Sequence, residues 1–135
     1  MKYLCLLLAA VALTGCQIKE KYAANDRAAD GWVAQRTAAP KINVTGKWKS
    51  DAWGKGEFKQ KGREVTGTLG DYKIKGVVSG YRAYLVADQD DWSFYTIVLK
   101  RHTADALEGS YSSSVPYSAL DEQDIYLRRD LGVKK

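Results

Sequence analysis

The residues able to do chemistry in this 135-residue chain are few: one histidine, two cysteines, one serine run and two acidic clusters. His102 stands between Arg101 and Thr103. A histidine makes a general base only beside a nucleophile and an orienting partner, and neither follows from its neighbours. The run Ser110-Tyr111-Ser112-Ser113-Ser114 lacks the glycine-flanked spacing of a nucleophile elbow and reads as a polar loop. Asp88-Gln89-Asp90-Asp91 offers the clustered oxygens that calcium prefers, without the spacing and distant Glu of an EF-hand. It reads as a solvated hairpin tip, and so does Asp121-Glu122-Gln123-Asp124. Both thiols, Cys5 and Cys16, fall within the first sixteen residues. The expectation is a non-catalytic protein with no metal and no cofactor.

The position of Cys16 carries more information. Lys2 is followed by the apolar stretch from Tyr3 to Leu13. That length suits a secretory leader and is too short for a bilayer, which needs roughly 20 residues. The leader ends in Leu13-Thr14-Gly15-Cys16, which resembles the bacterial lipobox; an ordinary leader cut elsewhere would need an A-x-A site, and none is better placed. The resemblance implies that residues 1–15 are removed and that Cys16 is lipidated. Several acyl chains, at about 0.8 kcal/mol per buried methylene, make such an anchor effectively permanent. Gln17 rather than Asp after the cysteine implies the outer membrane of a Gram-negative bacterium, on its periplasmic side. The mature chain then has no thiol, and its core must hold without a disulfide.

Charge narrows the partners. The full chain is net +5, and loss of Lys2 with the leader leaves 20 basic against 16 acidic residues, net +4. The lysines are scattered apart from Lys134-Lys135, so they read as a solvated surface with weak attraction to anionic head groups or acidic polymers. Nucleic acid is not expected, because no recognition motif is present.

These residues must be positioned by elements of two kinds. Residues 17–41 are rich in Ala, charges and amides, with a faint helical stripe through Ile18, Tyr22, Ala29 and Trp32/Val33, interrupted by Gly31 and closed by Pro40. This stretch reads as a partly helical tether of 25 residues, able to reach about 25–30 Å as a coil, with docking of Trp32 and Val33 on the domain as the alternative. From Ile42 to the end the pattern is one small β domain. Strands are expected at 43–50, 54–60, 63–69, 72–78, 81–87, 92–101, 106–112 and 123–129. Short turns follow at Lys61-Gly62, Gly70-Asp71, Ser79-Gly80 and 88–91. Apolar and polar residues alternate, as in Tyr72, Ile74, Gly76 and Val78 against Lys73 and Lys75. Gly46, Gly67, Gly76 and Gly109 all fall on the inward face, where sharp coiling needs them. The fold class is all-β: an eight-stranded antiparallel up-and-down barrel preceded by the tether.

Thr45-Gly46-Lys47-Trp48 resembles the G-x-W opening of the lipocalins and avidin-like barrels, the calycins. The resemblance implies that Trp48 plugs one end and that a basic residue of the last strand, Arg128 or Arg129, packs across it. The interior of such a barrel is either a core that bulky residues such as Val44, Trp48, Phe58 and Leu107 fill, or a pocket for one small ligand. The second case makes the protein a binding module for a small apolar or amphipathic ligand, with Trp48, Tyr72, Tyr111 and Arg128 as its contacts. A second surface is Trp92–Leu99, apolar on both faces. One set must face outward and be covered, by Trp32 of the tether or by a partner. The expected partner-binding residues are Trp32, Tyr95, Ile97 and Leu99. The alternative function is therefore a protein-interaction lipoprotein, an envelope assembly factor or an inhibitor of a hydrolase.

Overall fold

A computed structural model describes residues 23–132. The leader, Cys16 and the first part of the expected tether lie outside the described residues. The described residues form a helix, α1, over residues 23–34, and eight strands: β1 (Gly46–Ser50), β2 (Gly54–Lys61), β3 (Glu64–Leu69), β4 (Tyr72–Ser79), β5 (Arg82–Gln89), β6 (Trp92–Thr103), β7 (Ala106–Ser112) and β8 (Gln123–Arg129). A short 3-10 turn, Ala119–Asp121, lies before β8. Each strand pairs antiparallel with the next, and β8 returns to β1 through Trp48↔Arg129 and Lys49↔Arg128. The sheet is thus the closed barrel that the strand count and short turns require, with no free edge. β1 begins three residues later than expected, because Asn43 and Val44 form an entry loop whose backbone is held by side chains rather than by a strand. The Val44 N–H donates to Gln60 Oε1 at 2.9 Å.

Closure is made possible by the inward glycines. A Cβ at Gly67 would run into the carbonyl oxygen of Glu57, and φ there is +153°. Gly76 and Gly109 meet the carbonyls of Tyr84 and Val98 in the same way. Adjacent strands therefore approach more closely than any side chain permits, and the sheet coils tightly. Inside, Trp48, Phe58, Leu69, Leu85, Ile97, Leu99, Leu107 and Leu127 are fully buried and pack in one cluster. An eight-stranded barrel is just wide enough for side chains of this kind to fill.

The hairpin at the end of β5 turns on Asp90 and Asp91, whose φ values are +53° and +67°. Two consecutive left-handed residues make the turn that matches strand twist, and short polar side chains tolerate it best. The acidic pair is there for backbone geometry. Among the described residues no group of three or more His, Cys, Asp or Glu is placed to hold a metal ion.

The tether expectation is corrected in favour of its docking alternative. α1 runs through Gly31 without a break. Glycine costs a helix about 1 kcal/mol, which docking outweighs. Ala29 and Trp32 are buried against Val86, with Val33, Tyr84, Val98, Val115 and Tyr117 packed around them. Asp26 Oδ1 accepts from the Ser93 backbone N–H at 2.9 Å, beside the β5–β6 turn. At the other end, Lys41 N–H donates to the Gly80 carbonyl at 2.8 Å, in the β4–β5 turn. The helix thus lies lengthwise on the outer wall, its start and its exit at opposite ends of the barrel. No helix among the described residues is long and apolar enough to cross a membrane.

Candidate binding surface

The two barrel ends are closed by different devices. At the end where β1 begins, Trp48 donates its indole N–H to the Val44 carbonyl at 3.0 Å. Arg129 lies over the ring, its Cζ 4.4 Å from the centroid. The same guanidinium donates to the Ala104 carbonyl and to Asp105 Oδ1, each at 3.2 Å. Inward residues alternate along β8, so Arg129 follows Ile125 and Leu127 to the inside. Arg128 is outward and exposed, paired with Asp51 at 3.2 Å. The expected contact Arg128 is therefore on the wrong face to meet Trp48, and Arg129 holds that place.

At the opposite end the sequence reading missed the central residue, Trp53. Its ring sits 5.4, 5.2 and 5.1 Å from those of Tyr72, Tyr95 and Tyr111, in tilted and edge-on contacts. Such pairs contribute about 0.5–1.5 kcal/mol each beyond area burial. Burial and the neighbouring Tyr95 raise the Tyr72 phenol above its ordinary range. The signal for Trp53 was available: an aromatic in a polar turn, Asp51-Ala52-Trp53-Gly54, needs apolar cover. The expected ligand contacts Trp48, Tyr72 and Tyr111 are thus the closures of a filled barrel. Trp48 stops one end, and the tyrosines receive Trp53 at the other.

The expected partner surface is also corrected. Ile97 and Leu99 are fully buried inside the barrel, and Tyr95 belongs to the aromatic closure. The outward residue between them, Val98, is the one that α1 and Tyr117 help to cover. Trp32 is itself 7% exposed, its ring edge-on to Tyr84 at 5.7 Å and stacked on Tyr117 at 6.2 Å. It covers the outer wall within the chain and is not offered to a partner.

What remains open is the outer wall beside that cover. Register places two outward rows across β5–β8. One is Arg82, Lys100, Glu108 and Tyr126, and the other is Tyr84, Val98, Ser110 and Asp124. With Arg36, Tyr117 and Glu122 they line an open groove of about 770 Å³. Arg36 stacks its guanidinium on Tyr84, 4.5 Å from the centroid. Cations thus line the β5–β6 side and carboxylates the β7–β8 side, over an aromatic floor. Lys100 reaches Glu108 only at 3.8 Å and His102 Nδ1 reaches the same carboxylate at 3.4 Å. His102 meets an exposed acid and the edge of Tyr126.

The groove's floor is fixed by the serine run. Asp121 accepts from the hydroxyls of Ser112, Ser113 and Ser114 at 2.6, 2.7 and 2.9 Å. Those three donors lower its carboxyl to about 2. Tyr117, held between Ser110 and Glu122, has its phenol raised, chiefly by burial and then by the hydrogen bond to Glu122. Both clusters that could have suggested chemistry, the serines and Asp121-Glu122, are spent on clasping this loop. Comparisons with protein-family models, with curated proteins and with solved structures find no match to this chain.

Proposed function

We propose that this protein is a non-catalytic, lipid-anchored lipoprotein of the periplasmic side of the outer membrane that binds another envelope protein through the outer groove of β5–β8. The lipobox-like Leu13–Cys16 supports the anchor. The single observation that carries the binding mode is the filled barrel. With Phe58, Leu85, Ile97, Leu107 and Leu127 buried inside and both ends closed by aromatic residues, recognition moves to the outer wall. A groove with cations on one side, carboxylates on the other and tyrosines beneath suits a polypeptide segment of mixed charge better than a purely apolar ligand.

The test is retention of a partner from solubilised envelopes of the host. The wild-type chain and a Lys59→Glu variant, altered on a distant wall, should retain the same protein. Arg82→Glu combined with Lys100→Glu should lose it. A specific small molecule retained in native mass spectra, with no protein, would instead support a small amphipathic ligand; the aromatic groove floor is what favours that second reading.

A further inference from the structure

The docked helix carries a consequence for how the protein stands on its membrane. Residue 23 opens α1 at the barrel end that bears the β1–β2, β3–β4, β5–β6 and β7–β8 connections, because Asp26 is bonded beside the β5–β6 turn. Only residues 17–22 separate Cys16 from that point. Seven Cα–Cα steps reach about 25 Å only when fully extended, and a coil of that length spans roughly 13–16 Å, less than the length of the barrel. A free 25-residue tether would let the barrel tumble; α1, pinned along its wall, removes that freedom.

The charges are divided along the same axis. The four connections at this end, residues 51–53, 70–71, 90–91 and 113–122, hold Asp51, Asp71, Asp90, Asp91, Asp121 and Glu122 and no Lys or Arg. The opposite end is reached by Lys41, Lys61, Arg63, Arg82, Arg101 and Arg129 against Glu64, Asp105 and Asp130, so it stays net positive, and Tyr81 there is 70% exposed. Electrostatics alone would turn that basic end toward anionic lipid.

We infer that the docked helix overrides this preference: the acidic, Trp53-capped end faces the bilayer, and the basic end with Tyr81 faces the compartment. The inference rests on the anchoring part of the proposed function. The eight-residue strands β2, β4 and β5, tilted and at about 3.3 Å per residue, put the two ends roughly 20 Å apart along the barrel axis.

The experiment uses the lipidated full-length protein in vesicles of phosphatidylethanolamine and phosphatidylglycerol. Ala52→Cys and Tyr81→Cys each introduce one reactive thiol for a fluorescent donor, since the lipidated chain has no other. Energy transfer to acceptor-labelled head groups should be several-fold stronger from position 52 than from position 81. With Trp32→Ala added, which releases α1, the two efficiencies should converge. Equal efficiencies before that release, or stronger transfer from position 81, overturn the inference and leave the anchor standing. Failure of the wild-type protein to float with vesicles, together with an unmodified Cys16 in its mass spectrum, overturns the anchor and the inference alike.

Discussion

Trp32→Ala should free α1 while the barrel stays folded. A twelve-residue helix containing Gly31 is marginal in water, so α1 exists because it is docked. Its buried contacts are few: Ala29 and Trp32 are the buried positions, with Val33 partly covered. Removing a buried tryptophan side chain costs about 3–5 kcal/mol, including its contacts with Tyr84 and Tyr117. The polar ties that remain are weak by comparison. The Asp30–Lys75 pair, at 3.4 Å, is exposed and contributes about 0–1 kcal/mol. The loss therefore matches or exceeds what holds the helix. Every strand, by contrast, keeps both neighbours in the closed ladder. The assay is native-state hydrogen exchange. Helix amides should lose protection by up to about two to three and a half powers of ten, at 1.4 kcal/mol per tenfold. Amides of β2, β3 and β4 should keep theirs to within a few-fold. Unchanged helix protection would refute the reasoning. So would equal loss in helix and strands, which would make α1 part of the global folding unit.

Gly67→Ala should destabilise the barrel by about 3 kcal/mol or more, because the new Cβ meets the Glu57 carbonyl and φ stays positive; denaturant titration checks it. Arg129→Ala should cost about 2–3 kcal/mol by the same titration, through lost stacking on Trp48 and lost bonds to Ala104 and Asp105. Asp121 is held down at about 2, below its unfolded value of about 3.9, so its contribution is fully present above that unfolded value and is lost as pH falls through the folded one. Chemical shifts of the 113–118 amides should therefore hold from neutrality to about pH 4 and move below it, and Asp121→Asn should abolish that step. Trp53→Ala should expose Tyr72, Tyr95 and Tyr111 together, seen as increased tyrosine accessibility to a neutral quencher, with the Trp48 end unchanged.

Much of the architecture is legible in the chain because a barrel is written in short-range signals. Alternation and turn residues locate the strands, and inward glycines on several strands announce tight coiling. Positions on one strand follow from parity alone, which is why Trp48, Tyr72, Ile74 and Leu107 fall inside as expected. Parity fails as a guide where both sets are apolar. Along Trp92–Leu99 parity does not decide which set is inside, and the expectation that Tyr95, Ile97 and Leu99 face outward fails there. The choice is made by neighbours: Leu85 and Ala87 pair with Ile97 and Tyr95, and they carry those residues inward. The same neighbour rule separates Arg129 from Arg128, because Leu127 is inside.

The groove was hidden for a different reason. It is assembled by register between four strands, and no single segment contains more than one residue of either row. Its rows also look like ordinary solvated faces when read one strand at a time. The outer wall gains its character only after α1 has covered the more apolar part around Val86. The helix leaves the cation-to-carboxylate rows exposed next to its C-terminal Arg36. Docking therefore does two jobs with one set of contacts. It removes an apolar patch that would invite aggregation, and it sets the limit of the charged surface proposed above as the partner groove. If that coupling holds, releasing α1 weakens partner retention even though Arg82, Lys100 and Glu108 are untouched. Arg36, which stacks on Tyr84 only while the helix is seated, leaves the groove with it.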